Sequence, residues 1–167
     1  MKGIYTSAIL IIIFIIPISI LIAKGGDMVI QDGSRVSFDY TLTVDDKVID
    51  SSGERGPMQY THGKGQIIRG LERKLEGLGL GDEKIIEVLP EEAYGMVDSQ
   101  AFKEIERSYL PSDKEPKVNM FLNVQTTDGR TFPARIAEIK KDTVMLDLNH
   151  PLAGKTLYFQ VKIVSIE

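Results

Sequence analysis

Residues 65–78 read GQIIRGLERKLEGL, and the apolar side chains in this stretch recur at helical spacing. Four of them are separated by three, four and three positions: Ile68, Leu71, Leu75 and Leu78. Residues at this spacing line one face of a helix. Gly77 stands near the end of the run, where glycine commonly terminates a helix. The sequence therefore predicts one short amphipathic helix with an apolar face that packs on the rest of the fold.

Alternating apolar and polar residues flank this helix on both sides. From Val36 to Val44 every second residue is apolar, which predicts a strand with one buried face. Asp45-Asp46 predicts a turn, and residues 47–50 predict a return strand. Residues 85–89 are rich in β-formers, and residues 157–163 alternate again. We therefore predict an α+β fold in which an antiparallel β-sheet wraps one short helix.

Residues 96–148 predict a second, smaller β-rich unit inserted into the first. Residues 118–124 and 131–139 flank Asp128-Gly129, a dipeptide that favours the positive φ angles of a tight hairpin. Residues 144–148 alternate and supply a third strand. A short helix is also expected from three residues at helical spacing: Phe102, Ile105 and Tyr109.

The N-terminal part of the chain is strongly apolar. Residues 4–23 contain no charge and ten isoleucines, and a helix of 20 residues is about 30 Å long, the thickness of a bilayer core. We expect a transmembrane helix that acts as an anchor; the alternative is a signal peptide, whose cleavage would give a secreted protein. Lys2 precedes the span, which favours a cytoplasmic N-terminus and a folded part on the extracytoplasmic side. Residues 24–28 are expected to form a short tether.

Composition excludes several classes of protein. The chain has 167 residues, with 20 Lys and Arg against 24 Asp and Glu, so its net charge is −4. A general nucleic-acid binder carries a basic surface, which this charge argues against. The absence of Cys excludes disulfides and thiol catalysis. The two histidines, His62 and His150, argue against a His-rich metal site, and a hydrolase has little support because no Ser, His and acidic pattern is present.

Four segments carry a resemblance to a known family. They are residues 48–52 (Val-Ile-Asp-Ser-Ser), residues 65–72 of the predicted helical region, residues 90–95 (Pro-Glu-Glu-Ala-Tyr-Gly) and residues 149–157 (Asn-His-Pro-Leu-Ala-Gly-Lys-Thr-Leu). The order and spacing of the first three resemble FKBP-type peptidyl-prolyl cis–trans isomerases. The last segment resembles the SlyD-type subgroup, in which an insert-in-flap domain lies between the Ala-Tyr-Gly and Asn-His-Pro motifs.

The resemblance implies a domain organisation and a function. Residues 29–95 and 149–167 would form the FKBP-like isomerase domain, and residues 96–148 the chaperone-like insert. The expected activity is cis–trans isomerisation of X-Pro bonds, with proline-containing unfolded or partly folded polypeptides as partners. The membrane is expected as a partner through the N-terminal helix, and nucleic acid is not. No cofactor and no metal is implied, because rotation about an amide bond needs neither.

The resemblance also implies an apolar cup that binds the prolyl ring. Its catalytic positions would be Asp50, which lies at the edge of the cup and can accept a hydrogen bond from a neighbouring Tyr hydroxyl, and Tyr94, which offers its hydroxyl to the substrate carbonyl. The implied substrate-binding residues are Tyr40, Ile49, Met58, Ile67, Ile68, Leu71, Leu152 and Phe159.

In the resembling subgroup the insert binds unfolded segments, which requires exposed apolar side chains and unpaired strand edges. The candidates for this chaperone surface are Met120, Phe121, Leu122, Phe132, Val144, Met145 and Leu146. Strand alternation assigns about half of them to the core of the insert. The alternative function is a non-enzymatic, membrane-tethered holdase with a vestigial cup, because Met58 and Leu71 occupy positions that are often aromatic in the family.

Overall fold

The computed structural model describes residues 28–110, 115–125, 129 and 131–167. The predicted anchor in residues 4–23, and the tether apart from residue 28, lie outside these ranges. No helix within the described ranges is long and apolar enough to cross a membrane.

The described residues contain two antiparallel sheets and one α-helix. In chain order the elements are β1 (Arg35–Val44), β2 (Lys47–Ser51), β3 (Met58–Thr61), α1 (Arg69–Leu75), β4 (Glu83–Val88), β5 (Phe102–Glu106), β6 (Phe121–Gln125), β7 (Thr131–Ile139), β8 (Thr143–Asp147) and β9 (Leu157–Ile166). Single turns of 3-10 helix lie at Gly53–Arg55, Pro90–Glu92, Ser99–Ala101 and Arg107–Tyr109. The prediction of an α+β fold with antiparallel strands and one short helix is confirmed for this part of the chain.

Strand β1 organises the first sheet. Its side chains alternate between buried and partly exposed along its whole length, as the sequence predicted. Asp45 and Asp46, directly after β1, have φ angles of 48° and 60°. Two successive residues in the left-handed region are typical of the tight turns that suit twisted hairpins, and Asp tolerates this conformation well. The predicted turn into β2 is therefore confirmed.

The first sheet has the strand order β2-β1-β9-β4. Strands β2 and β3 share one edge of β1, pairing with its two ends, while β9 pairs along the other edge. Helix α1 packs on this sheet through Leu71 and Leu75, both fully buried. The helix ends before Gly77, whose φ of 79° breaks the helical geometry as expected. One hydrophobic core, built from β1, β4, β9 and α1, supports the cup described below.

The second sheet lies within residues 96–148 and has the order β5-β8-β7-β6. Its core is small, with Ala134, Ile136, Val144 and Leu146 as the buried residues. The predicted hairpin is confirmed, since β6 and β7 pair antiparallel on either side of Gly129, whose φ is 83°.

The prediction of a short helix at Phe102, Ile105 and Tyr109 is wrong. Phe102–Glu106 forms the edge strand β5, and the 3-10 turn Arg107–Tyr109 follows it. The three-residue spacing of Phe102 and Ile105 misled the sequence analysis, because both are half-buried in an edge strand where the residues between them face solvent. Pairing with β8 supplies the hydrogen bonds that a helix would have made internally.

The inserted segment begins after Gly95 and ends before Asn149. The residues at its two ends are hydrogen-bonded to each other. The Gly154 N–H donates to the Gly95 carbonyl at 2.8 Å. The Asn149 side chain accepts from the Asp98 N–H at 2.8 Å and donates to the Asp98 carbonyl at 3.1 Å. The two ends of the inserted segment are therefore fixed side by side, next to the turn that bears Tyr94.

Candidate active site

An apolar cavity of about 370 Å³ opens on the first sheet. Five separate parts of the chain contribute to it: β1, the strands and loops of residues 50–68, α1, the turn at Tyr94, and β9. The lining residues are Phe38, Tyr40, Leu42, Asp50, Met58, Gly65, Gln66, Ile67, Ile68, Leu71, Tyr94 and Phe159. Eight of the ten cup residues expected from the sequence therefore surround one hollow.

The floor and walls of the cavity are rigid because they belong to the core. Leu71 on α1 is 2% exposed, and Tyr40 and Phe159 on neighbouring strands are 8% and 4% exposed. The rings of Tyr40 and Phe159 lie 6.2 Å apart and tilted, and Phe38 lies 6.1 Å from Tyr40 on the other side. This geometry is favourable for aromatic pairs and leaves the ring faces fixed. The cavity is therefore preformed and suited to a compact apolar ring.

A carboxylate network lies at one edge of the cavity. The Tyr40 hydroxyl donates to Asp50 Oδ2 at 2.7 Å, and the Ser51 N–H donates to Asp50 Oδ1 at 2.9 Å. The Arg55 guanidinium also contacts Asp50 and donates to the Ser51 carbonyl at 2.6 Å. The hydrogen bond from Tyr40, with the help of Ser51 and Arg55, holds the pKa of Asp50 below its ordinary value. Asp50 is therefore ionised at neutral pH.

The same contacts affect Tyr40. Burial, and next the neighbouring Asp50 carboxylate, raise the pKa of the Tyr40 hydroxyl above its ordinary value. Tyr40 consequently remains a hydrogen-bond donor throughout the physiological pH range. Its ring forms a wall of the cavity while its hydroxyl orients the carboxylate at the edge.

Ser52 fixes the loop that carries this carboxylate. Its hydroxyl accepts from the Tyr40 N–H at 3.1 Å and donates to Asp39 at 2.9 Å, while its N–H donates to the Tyr40 carbonyl at 3.0 Å. Ser52 is buried, so these bonds are shielded from water. The segment after β2 is thus joined to the centre of β1, and this places Asp50 against the Tyr40 hydroxyl.

Tyr94 closes the cavity from the opposite side. It follows the 3-10 turn Pro90–Glu92 and is 39% exposed, with its ring at the rim of the hollow. The His150 ring stacks on it with 3.7 Å between ring centroids and only 5° between ring planes. His150 Nδ1 accepts from the Leu152 N–H at 3.1 Å, which fixes the imidazole plane. The same hydrogen bond ties the side chain of His150 to the turn that carries it.

Two expected cup residues do not line the cavity. Ile49 is 45% exposed and does not line the cavity; it lies at an irregularity of the β1–β2 pairing, where Leu42 pairs with Asp50 and Thr43 with Val48. Leu152 is partly buried and packs against the core instead. The sequence analysis also missed residues that line or border the cavity, namely Phe38, Leu42, Gly65, Gln66 and Arg55. Phe38 and Leu42 share the buried face of β1 with Tyr40, and Gly65 and Gln66 lie in a segment that carries the family resemblance, but nothing in the sequence pointed to Arg55.

The expected chaperone surface divides into buried and accessible residues. Val144 and Leu146 are 0% and 2% exposed and form the core of the insert, so they cannot contact another chain. Met120, Leu122 and Phe132 are half-buried, as is Met145. Phe121, at the start of the edge strand β6, is 53% exposed. Strand alternation explains the division, since Val144 and Leu146 share the face opposite Met145.

Two further titratable residues at the first sheet, Tyr60 and His62, contact each other. His62 is buried, and its Nδ1 lies 3.1 Å from the Tyr60 hydroxyl. Burial raises the pKa of Tyr60 well above its ordinary value, so this hydroxyl stays protonated. Within the ranges that the structure describes, no group of three or more His, Cys, Asp or Glu side chains is placed to hold a metal ion.

Comparison with known proteins agrees with this geometry. The family model for FKBP-type peptidyl-prolyl cis–trans isomerases matches residues 26–164. The chain is 35% identical over 153 residues to the short-type peptidyl-prolyl cis–trans isomerase of Methanocaldococcus jannaschii, covering 83% of this chain and 94% of that protein. It is also 35% identical over 140 residues to SlyD of Vibrio cholerae, covering 83% of this chain and 69% of SlyD.

A third relative is the FKBP-type 16 kDa peptidyl-prolyl cis–trans isomerase of Escherichia coli K12, which is 30% identical over 140 residues. The match covers 83% of this chain and 94% of that relative. The matched region includes both the sheet that forms the cup and the segment between Gly95 and Asn149. This chain therefore belongs to the FKBP-type peptidyl-prolyl cis–trans isomerases.

Proposed function

We propose that the cavity around Leu71 and Phe159 is the place where the X-Pro bond of a substrate polypeptide rotates. The observation that carries this proposal is the convergence of one preformed apolar hollow with a carboxylate network at one edge and a tyrosine at the other. The hollow has the shape and polarity that a prolyl ring requires. The edges supply polar groups next to the amide that precedes the ring.

Catalysis follows from the environment that the hollow gives the amide. An amide resists rotation by about 18–20 kcal/mol because twisting removes the conjugation between nitrogen and carbonyl. The planar amide carries more charge separation than the twisted one, so removing water destabilises the planar ground state. Buried walls formed by Tyr40, Leu71 and Phe159 exclude water from the prolyl side of the bond. The cup also binds the twisted amide better than either planar isomer, and this differential binding increases the rate.

Polar groups at the rim favour the twisted geometry further. The Tyr94 hydroxyl donates to a substrate carbonyl and holds one side of the bond while the prolyl side turns. Asp50 acts electrostatically: its ionised carboxylate stabilises the carbonyl carbon of the substrate amide, which becomes more electron-poor as twisting ends donation from the nitrogen. Neither residue acts as a general acid or base, because no proton is transferred in the reaction.

The test is an exchange measurement on a short X-Pro peptide by two-dimensional NMR. The wild-type protein should accelerate cis–trans exchange of the X-Pro bond in this peptide. Tyr94→Phe should lower kcat/KM by roughly two- to tenfold, the equivalent of one hydrogen bond. The matched control is Tyr109→Phe, a tyrosine that is 76% exposed on the insert and distant in the fold from the cup. Asp50→Ala should also slow exchange. Equal exchange rates with and without the wild-type protein would refute the proposal.

We further propose that the insert captures unfolded segments for the isomerase domain. The support is that β5 and β6 are the two edges of its sheet, so each presents backbone groups to which an extended chain can bond. Phe121 on β6 adds an exposed aromatic side chain. Phe121→Ser should weaken suppression of client aggregation while leaving exchange of a short peptide unchanged. Tyr158→Ser, which removes an aromatic residue that is 44% exposed on the isomerase sheet, is the control.

The location of the protein is a separate proposal. We propose that residues 4–23 anchor the chain in a membrane with the isomerase on the extracytoplasmic side, supported by the 20 uncharged residues and by Lys2 before them. The full chain should remain in the membrane fraction after alkaline extraction, and external protease should digest the isomerase domain. Removal of residues 1–27 should release it. Full recovery of the intact chain in the soluble fraction would contradict the anchor.

A further inference from the structure

A second cavity, of about 390 Å³, lies at the junction of the insert and the isomerase sheet. We call it the junction crevice. Its apolar walls are Val97, Phe102 and Phe121, and its remaining lining includes His150, Arg135 and Asp147. Val97 and Phe121 are 54% and 53% exposed, so the crevice is open to solvent. The isomerisation chemistry does not use this crevice, and the proposed strand-edge binding shares Phe121 with it but not the hollow itself.

The junction crevice is contiguous with the cup through one pair of rings. His150 lines the crevice, Tyr94 lines the cup, and their rings are stacked 3.7 Å apart. A cavity of this volume is about 9 Å across if it is taken as a sphere, and an extended chain advances about 3.3 Å per residue. The cup is of similar width, and the two stacked rings add 3.7 Å between the hollows, so their centres lie about 13 Å apart. A polypeptide that leaves the cup past Tyr94 therefore reaches the crevice about three or four residues from the proline.

The charges of the lining favour a neutral, apolar occupant. Arg135 donates to Asp147 at 2.6 Å and to the Asn119 side chain at 2.9 Å. Lys155, which also borders the crevice, donates to Asp45 at 2.8 Å. Each cation is thus matched by a carboxylate, and a charged ligand would find no uncompensated charge to bind. Burial of the exposed apolar walls under an apolar side chain, by contrast, contributes favourable free energy to binding.

We propose that the junction crevice is a subsite of the isomerase that takes an apolar or aromatic side chain of the substrate polypeptide, three or four residues from the proline. This inference rests on the proposed role of the cup. The crevice converts a single-proline site into one that recognises a short sequence. Because it is made by the insert and the isomerase sheet together, substrate selection depends on residues from both.

The experiment uses the full chain and two sets of peptides. The short peptide holds little beyond the X-Pro bond. The extended peptides contain the same X-Pro segment, and each carries either Phe or Ser at one of the flanking positions. At one or two flanking positions Phe should raise kcat/KM roughly tenfold over Ser in the wild type, as expected for covering one large apolar side chain after binding costs. Val97→Ser should lose most of this gain, and Val97→Thr, which keeps the side-chain shape, should lose part of it.

The matched control is Val118→Ser. Val118 lies in the insert and is 52% exposed, close to the 54% of Val97, but it does not line the crevice. Val118→Ser should retain the full gain from Phe, and all variants should act equally on the short peptide. The crevice is refuted if no flanking position responds to Phe, if Val97→Ser keeps the wild-type gain, or if Val118→Ser loses as much as Val97→Ser.

Peptide affinity separates this proposal from the proposed function. If the short peptide is not accelerated by the wild type, the role of the cup fails, but fluorescence anisotropy still measures binding of the Phe-flanked peptides. Tighter binding of the Phe peptide to the wild type than to Val97→Ser then supports the crevice as a binding site. Equal affinities for the two proteins overturn it.

Discussion

Replacement of Gly70 by Ala should destabilise the protein and disturb the cup at the same time. Gly70 is buried in α1, where a Cβ would lie 2.6 Å from Val88 Cγ1, 2.7 Å from Glu92 Cβ and 3.0 Å from the Glu92 carbonyl oxygen. Carbon atoms in favourable contact are about 3.5–4.0 Å apart, so α1 and the turn at Glu92 must separate by roughly 1 Å. Overpacking of this kind costs about 1–3 kcal/mol, and the better helix propensity of Ala recovers about 1 kcal/mol.

The expected net effect of Gly70→Ala is a decrease of up to about 2 kcal/mol in the free energy of unfolding. Gly79→Ala is the matched control. Gly79 lies outside the left-handed region, and the nearest atom to its added Cβ is 3.8 Å away, an ordinary contact. Ala at that position should be neutral or stabilise by up to about 1 kcal/mol, because it reduces the freedom of the unfolded chain.

Two assays test this reasoning. Urea denaturation of both variants gives the free energies of unfolding, and peptide exchange gives kcat/KM. Glu92 precedes Tyr94 by two residues, so moving its backbone should displace the Tyr94 ring and lower kcat/KM severalfold in Gly70→Ala alone. The reasoning fails if Gly70→Ala is as stable as Gly79→Ala, since the close approach of α1 to Glu92 would then impose no constraint.

Three further changes have defined outcomes. Arg55→Gln should let the pKa of Asp50 rise toward its ordinary value, seen by NMR titration of the carboxyl, and lower kcat/KM a few fold. Burial lowers the pKa of His150 from 6.5, so its contribution to stability is full above pH 6.5 and decreases as the pH falls through its pKa in the folded protein. His150→Asn should remove that dependence from thermal melts between pH 7 and pH 5. Ile136→Ala should cost about 2–4 kcal/mol in the insert, reducing hydrogen-exchange protection in β7 and β8 but not in β9.

The sheet around the cup was predictable from the sequence because its strands are long and have one buried face. β1 alternates over ten residues and β9 over its first eight, and this pattern is produced by burial of one face whatever the strand pairing. The helix at Leu71 and Leu75 was predictable for the same reason. In each case the local pattern and the tertiary environment impose the same periodicity.

The insert was less predictable because its core is too small to impose a clear period. The core of the insert, in the part that the structure describes, has four buried apolar residues. In the edge strand β5 only the first and fourth residues are partly buried. Such a strand has helix-like spacing without being a helix. The exposed state of Phe121 and the buried state of Val144 likewise depend on which face of the second sheet forms its core, and pairing partners decide that.

Some residues of the cup were likewise predictable from the sequence, and others were not. Alternation places Tyr40 and Phe159 on the cavity side of their strands, so their positions follow once the strands are known. Arg55 lies in a 3-10 turn, and no periodicity connects it to Asp50. The family motif assigned both Ile49 and Asp50 to the site, and only Asp50 lines the cavity. Ile49 is the unpaired residue where the register between β1 and β2 shifts, an irregularity that sequence alternation does not predict.

The second sheet is inserted beside the cup, as the proposed capture of unfolded segments for the isomerase domain requires. The insert leaves the isomerase sheet directly after Tyr94 and returns at Asn149 and His150, so both of its ends lie at the rim of the cup. An insertion in any loop on the opposite side of the sheet would leave the core equally intact, but it would place a captured segment far from the cavity. Here the stacked rings of Tyr94 and His150 and the hydrogen bond between Gly95 and Gly154 join the chain that leaves the cup to the chain that returns to it.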